Sequence, residues 1–461
     1  MRHIHFVGIG GAGLSALAHV MLARGWQVSG SDRMRSARTT ALEAEGATVY
    51  LGHSREWVNG VDVVVVSSAI PADNPELLAA RAAGIPVLKR DRWLAEMTRE
   101  TDLIAVAGTH GKSTTSALVA LMLTNAGLDP TAVVGAEVPQ LGGNARTGNS
   151  RLFVIEADEY DHAFLGLHPA IAVVLNVEHD HPDIFPDDVA IQQAFRQFLK
   201  QVRPGGTVVA CADDEGVCSV LRGLSLKVPV VSYGFHEGAA WRAGGLKQND
   251  VGGLDFVAIH DAEPFGAFRL RVPGRHNVLN ALAAIAIGER LGIDVGTMQA
   301  TLANFNGAER RFQPVGSVGR IQLFDDYAHH PTEIRATLQA AREQFGERPL
   351  WVVFQPHTFS RLVALYDDFV TAFDAADHVV VSDVYAAREQ GDAAAHGRAL
   401  AGAIVGPTAV YQATQDDILR YLLRHLPDDV ILLTLGAGDI TSLGPRLRRA
   451  LEEQRQERIT Q

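Results

Sequence analysis

Leu103-Ile104-Ala105-Val106-Ala107-Gly108-Thr109-His110-Gly111-Lys112-Ser113-Thr114 runs from an apolar segment through a glycine-bounded loop into a helix-forming segment that reaches about residue 125. A strand that leaves a glycine loop as a helix aims the unpaired N–H groups of the first helical turn at whatever lies in front of it. The glycines let an anion approach the backbone. Lys112 adds a point charge for terminal phosphates, and Ser113 adds a hydroxyl suited to Mg2+. The strict spacing of the common nucleotide loop fails, because Val106 stands where its first glycine belongs. The reading therefore rests on the strand–loop–helix context.

Two acidic segments follow apolar strands nearby. Glu156-Ala157-Asp158-Glu159-Tyr160-Asp161 comes after residues 152–155, and Asn176-Val177-Glu178-His179-Asp180-His181 after residues 171–175. In open α/β sheets, ligands gather beyond the carboxyl ends of the strands. Carboxylates there repel a triphosphate unless a cation lies between them. A serine, a glutamate and phosphate oxygens suit a hard ion, Mg2+ rather than Zn2+.

Toward the N-terminus, residues 4–8 read as a buried strand, followed by Gly8-Ile9-Gly10-Gly11-Ala12-Gly13 and an apolar helix to about residue 24. This second glycine loop suits a diphosphate, and Asp32 follows the next strand, where a carboxylate can bond a ribose hydroxyl. Taken alone, such a loop is usually read as a nicotinamide or flavin site. With both loops, the chain binds one diphosphate-bearing molecule and one nucleoside triphosphate. A dehydrogenase has no use for the second site, and a simple ATPase none for the first.

Toward the C-terminus, residues 241–272 alternate and are punctuated by glycine, as antiparallel strands are, and residues 276–291 form an alanine-rich helix. Strands then recur at 321–324, 350–354, 378–382, 409–411 and 430–435, with helices between. β-Branched strands alternating with helices make the fold α/β with parallel, doubly wound sheets. At ~150 residues per domain, 461 residues suggest three units.

The 47% hydrophobic and 20% charged composition is that of a globular protein, and 44 glycines fit many strand-to-helix turns. A net charge of -12 argues against nucleic acid or anionic lipid as a partner. The two cysteines, Cys211 and Cys218, make neither a disulfide framework nor a zinc cluster and read as small core residues in a reducing cytoplasm. No signal peptide is expected ahead of the first strand, and no run approaches the ~18–20 apolar residues of a membrane span.

At this point the sequence resembles the Mur ligases along essentially its whole length. The likeness is carried by Val7–Gly13, Ser67-Ser68-Ala69-Ile70-Pro71, Gly108–Thr114, Glu156–Asp161, Asp180-His181, Gly274-Arg275-His276-Asn277-Val278-Leu279-Asn280-Ala281 and Arg310-Arg311-Phe312. It continues through Asp325-Asp326-Tyr327-Ala328-His329-His330-Pro331-Thr332-Glu333, Phe354-Gln355-Pro356-His357, Tyr385-Ala386-Ala387-Arg388-Glu389 and Gly436-Ala437-Gly438-Asp439. The resemblance implies three domains: a Rossmann-like UDP-sugar domain over residues 1–100, a P-loop-like central ATPase domain over 101–307, and a Rossmann-like C-terminal amino-acid domain over 308–461. Gly10, Gly11, Ala12 and Gly13 are then expected at the diphosphate, with Asp32, His53, Ser67 and Ser68 near the uridine. ATP is expected on Gly108, Thr109, His110, Gly111, Lys112, Ser113 and Thr114, with His276, Asn277 and Asn280 near the adenine. Tyr327, His329, His330, His357, Arg361 and Arg388 form the expected amino-acid pocket.

The implied reaction joins L-alanine to the lactyl carboxylate of UDP-N-acetylmuramate through an acyl phosphate, in a monomeric or homodimeric enzyme. Lys112 and Mg2+ on Ser113, Glu156 and His181 would offset the repulsion of two anions. His329 or His330 would take the proton from the amine. Ser113 replaces the usual threonine and Ala328 a frequent glycine. Thr358-Phe359-Ser360 stands where some relatives have Arg-Tyr-Thr, which leaves Arg361 as the remaining arginine there. The neighbouring reading is a recycling ligase that attaches a tripeptide to the same UDP-sugar. The reading from another class is an NAD-dependent oxidoreductase.

Overall fold

The computed structural model describes residues 2–387 and 389–460, with side chains through Glu457. Val63-Val64-Val65-Val66 is buried along its whole length, as the inner strand of a sheet covered on both faces must be. It pairs with His3–Val7 in a five-stranded, all-parallel sheet ordered Thr48–Leu51, Gln27–Asp32, His3–Val7, Val63–Val66, Val87–Lys89. The order reverses between His3–Val7 and Val63–Val66. The loops leaving those two strands, Gly8–Gly13 and Ser67-Ser68, therefore part and open a crevice.

The central sheet has ten strands, with Asp102–Ala107 flanked in parallel by Ile171–Val174 and Leu152–Glu156. These three neighbours bring the 108–111 loop, the 156–161 segment and the 176–181 segment to one edge. At one end of the sheet, Trp241–Gln248, Leu254–His260 and Glu263–Arg269 run antiparallel, as the glycine-punctuated pattern suggests. The third sheet has six strands, all parallel except Gln313–Val318 against Arg320–Asp326. Sequence reading passes over Thr48–Leu51, Gly143–Arg146, Val230–Gly234 and Gln313–Val318. Most of their residues are only partly buried or exposed, so hydrophobic alternation is weak there.

The apolar cores are not divided as the sheets are. One cluster runs from Ile4 and Leu17 through Trp93, Leu94 and Met97 to Phe153, Phe164 and Phe198, joining the N-terminal and central sheets. A second packs the Lys112–Asn125 and Arg275–Arg290 helices on the other face of the central sheet. Among the described residues, no hydrophobic cluster combines side chains before Glu309 with side chains after it. No described helix is long and apolar enough to cross a membrane.

Candidate active site

The central loop is shaped by two glycines with positive φ. Gly108 lies at φ 147°, and an added Cβ would come 2.9 Å from the Leu175 Cβ; at Gly111 (φ 81°) it would come 2.7 Å from the Asn280 amide oxygen. The helix begins at Lys112, so its first-turn N–H groups open in front of the loop. The Lys112 ammonium donates to the Gly108 carbonyl at 2.6 Å and to both Glu159 oxygens at 2.8 and 2.9 Å. Burial works against this ammonium, but Glu159, Asp158 and Glu156 more than offset it and hold its pKa above the ordinary lysine value. Burial likewise pushes the Glu159 carboxyl up, against the pull of Lys112.

Ser113 Oγ donates to Glu156 Oε2 at 2.9 Å, and the Gly135 N–H reaches the same oxygen at 2.7 Å. A hydroxyl and a carboxylate meeting at the loop form a hard oxygen set that fits Mg2+. His181 does not complete that pair by direct contact. Its Nε2 lies 3.9 Å from Glu159 and 3.6 Å from Asp180, and its ring is edge-on to Tyr160 at 5.0 Å. His110 lies between Glu178 at 3.4 Å and Glu333 at 3.3 Å. Burial alone would lower its pKa; the two carboxylates outweigh burial and push it up to about 10.

A cavity of about 250 Å3 opens beside the loop, lined by His110, Gly111, Thr114, His276, Asn277 and Asn280 from the expected set. Asn280 donates to Asn277 Oδ1 at 3.1 Å, and Asn277 to the Pro273 carbonyl at 2.7 Å, so both amides are pre-oriented. Burial, and then Arg311, lower His276 to about 4, leaving it neutral at pH 7. Cys211, Asp213, Asp214, Tyr233 and Arg311 also line this cavity and were missed. The signal for four of them was available: Cys211–Asp214 and Tyr233 lie at or just beyond the carboxyl ends of strands Thr207–Cys211 and Val230–Gly234.

A second cavity, also about 250 Å3, holds Gly11, Ala12, Gly13, Ser67 and Ser68. Its cations, Lys89 and Arg90, come from the fifth strand and the helix after it, and sequence reading missed both. They face the central segment: Lys89 lies 3.2 Å from Asp161 and Arg90 3.4 Å from Asp158. Asp32 does not line this cavity. It accepts the Gly10 N–H at 2.9 Å and so braces the loop. His53 is likewise outside it, bonded through Nδ1 to Glu76 at 3.1 Å in a network that includes Ser31 and His5.

On the C-terminal side, the Tyr327 ring lies 5.0 Å from both the Arg310 and Arg311 guanidinium carbons and edge-on to His329. His329 is edge-on to His357 at 5.6 Å, and its Nδ1 lies 3.0 Å from the Tyr327 carbonyl. Burial, reinforced by Arg361, holds His329 well below the usual histidine value and His357 at about 4. His330 caps the Pro331–Phe345 helix, and its Nε2 faces the His179 carbonyl at 3.3 Å. Arg361, expected in the amino-acid pocket, donates to Asp180 of the central segment at 2.7 Å, with both side chains buried. Ala328 is buried without a positive φ, so its Cβ causes no strain. Arg388 lies outside the described residues.

This architecture has clear relatives. Residues 3–101 match the model described as Mur ligase family, catalytic domain; 106–288 match the Mur ligase middle domain; and 310–438 match Mur ligase, glutamate ligase domain. The chain is 46% identical to the UDP-N-acetylmuramate--L-alanine ligase of Frankia casuarinae over 98% of each chain. Among solved structures, it superposes on the UDP-N-acetylmuramate-alanine ligase of Thermotoga maritima with a TM-score of 0.82 at 29% identity, covering 98% of this chain and 100% of that one. A murein peptide ligase from Psychrobacter arcticus gives 0.76 at 26% identity, covering 98% and 99%.

Proposed function

This chain belongs to the Mur ligase family, and on that premise we propose that it joins L-alanine to UDP-N-acetylmuramate with ATP as energy source, in peptidoglycan precursor synthesis. The observation that carries the reading is the 156–161 segment. Glu156 and Glu159 contact the phosphate loop, while Asp158, Tyr160 and Asp161 wall the cavity of the first glycine loop. One short segment thus separates the place for a nucleotide from the place for a diphosphate sugar.

In this reading the protein works as three domains, divided near residues 100 and 307. The lactyl carboxylate attacks the γ-phosphate and displaces ADP, giving the acyl phosphate; the alanine amine, once deprotonated, attacks its carbonyl and expels phosphate. Mg2+, held by Ser113 and Glu156 with His181 as the further candidate, would offset the meeting of two anions. Lys112 leaves Glu159 in part to reach the γ-phosphate. His329 is neutral, with Nδ1–H held by the Tyr327 carbonyl and Nε2 left as the nitrogen that can take the amine proton. His276, Asn277 and Asn280 face the adenine, Gly10–Gly13 with Ser67 and Ser68 the diphosphate side, and Tyr327, His357 and Arg361 the amino acid. The cytoplasm supplies all three substrates.

The test is phosphate release with ATP, Mg2+ and UDP-N-acetylmuramate, scanned across amino acids. L-Alanine should support turnover. Release with a tripeptide but not with L-alanine would assign the recycling reaction, and tight NADH binding without release would assign an oxidoreductase. Lys112→Ala should fold normally and lose about 100- to 1,000-fold in rate, as the loss of one preorganised charge partner does. Near-normal turnover in that variant would refute the site.

A further inference from the structure

Outside the Ser113–Glu156 oxygen pair, three side chains from three segments converge on one point. Glu178 Oε2 lies 3.4 Å from His110 Nε2 and 3.7 Å from His330 Nδ1, and all three donor atoms fall within 4.8 Å of one another. In a tetrahedral zinc site with metal–ligand bonds of ~2.0–2.1 Å, neighbouring ligand atoms stand about 3.3 Å apart, close to the two separations from Glu178.

The outer contacts are those that metal-binding histidines use. The far nitrogen of His110, Nδ1, lies 3.3 Å from the Glu333 carboxylate. The far nitrogen of His330, Nε2, lies 3.3 Å from the His179 carbonyl. The Thr332 hydroxyl donates to Glu178 Oε2 at 2.7 Å. A carboxylate or carbonyl on the far nitrogen fixes the tautomer that presents the near one to a metal, and a hydrogen-bonded carboxylate is held in place as a ligand. Two contacts compete: the Thr332 N–H points at His330 Nδ1 from 3.3 Å, a long hydrogen bond that a metal would displace, and His110, held protonated between Glu178 and Glu333, would give up its Nε2 proton to bind.

We propose that His110, Glu178 and His330 form a binding site for a borderline divalent transition metal of the zinc class, with the fourth position open to water. Two imidazoles and one carboxylate favour such an ion over Mg2+, which prefers oxygen donors. His110 belongs to the phosphate loop, Glu178 to the central sheet edge and His330 to the C-terminal unit. A metal held by all three therefore binds only when these parts are together, and it fastens them. His110, Glu178, Thr332 and Glu333 also line the cavity beside the loop. Metal and nucleotide then exclude one another, so the site is inhibitory; that last step rests on the nucleotide reading above, whereas binding itself does not.

The experiment titrates Co2+ into the full-length protein in excess Mg2+, which occupies oxygen sites, and follows the visible absorption of four-coordinate cobalt. A saturating band is expected, displaced by Zn2+. Glu178→Gln should weaken Co2+ at least 10- to 100-fold, and Thr332→Val, which removes only the outer hydrogen bond, about tenfold. Thermal melting confirms that each variant is folded. In the ligation assay, Zn2+ should inhibit competitively with ATP. The proposal is overturned if no band forms, if the band survives Glu178→Gln, or if Glu156→Gln abolishes it. Binding as expected with noncompetitive inhibition would sustain the site and overturn its nucleotide-blocking role.

Discussion

Where the N-terminal sheet meets the central one, Trp93, Leu94 and Met97 share a single apolar cluster with Leu17 on one side and Phe153 and Phe164 on the other. Trp26 packs edge-on to Trp93 at 5.6 Å. Where the central sheet meets the C-terminal one, the contacts are charged and polar: Arg361 with Asp180, His110 with Glu333, Thr332 with Glu178. Separating the first joint exposes apolar surface at ~25 cal/mol per Å2, with nothing returned by water. Separating the second lets water rehydrate each charge, so most of the lost attraction is recovered. The N-terminal unit is thus expected to stay docked on the centre and the C-terminal unit to be the one that opens and closes, as a reaction that must admit three substrates and then exclude water requires.

Trp93→Ala should do the most damage, costing about 3–5 kcal/mol, as large aromatic truncations in a core do. Urea denaturation measures it, and a loss below 1 kcal/mol would mean the N-terminal joint is not apolar in effect. Arg361→Ala comes next. It orphans Asp180, but opening lets water reach that carboxylate, which limits the cost to on the order of 1–3 kcal/mol. Small-angle scattering should show a more extended molecule with the N-terminal unit still docked.

Acid should also act on the second joint, through His276. His276 faces Arg311, Glu333 and His110, and burial followed by Arg311 depresses its pKa to about 4 from an ordinary 6.5. A histidine depressed in the closed form contributes stability that is full above 6.5 and lost as pH falls through about 4. Limited proteolysis near residues 304–312 should therefore accelerate across that window, and His276→Gln should reduce the response, the remainder belonging to His329 and His357. The smallest effect belongs to Glu137→Gln. Its partner Arg38 is 41% exposed and Glu137 33%, so this link between the first two units is worth at most about 0.5 kcal/mol. A larger loss would show that this pair, with Lys89–Asp161 and Arg90–Asp158, carries a substantial share of the N-terminal joint.

The two glycine loops differ in how legible they are. The central loop carries its own lysine and serine within one turn of helix, so Lys112 and Ser113 can be read in line, while Glu156 is legible as the acid that ends another strand. The N-terminal loop has no cation beside its glycines. Lys89 and Arg90, which supply charge to its cavity, are distant in sequence and brought back by the parallel crossover. Asp32 was legible as an acid after a strand, and His53 only through the family resemblance, yet backbone and side-chain partners inside the N-terminal unit engage them.

Sequence alone determined the α/β class, the strand–loop–helix at each glycine loop and the family, because periodicity, glycine placement and local motifs act over a few residues. Tertiary structure alone decided that Arg361 holds Asp180, that His110 stands between Glu178 and Glu333, and that one joint is built on a shared apolar cluster and the other on charged and polar pairs. Those pairings join residues far apart in the chain. Their energies depend on burial and on which charges the closed fold brings within a few ångströms, and neither is written in any local stretch.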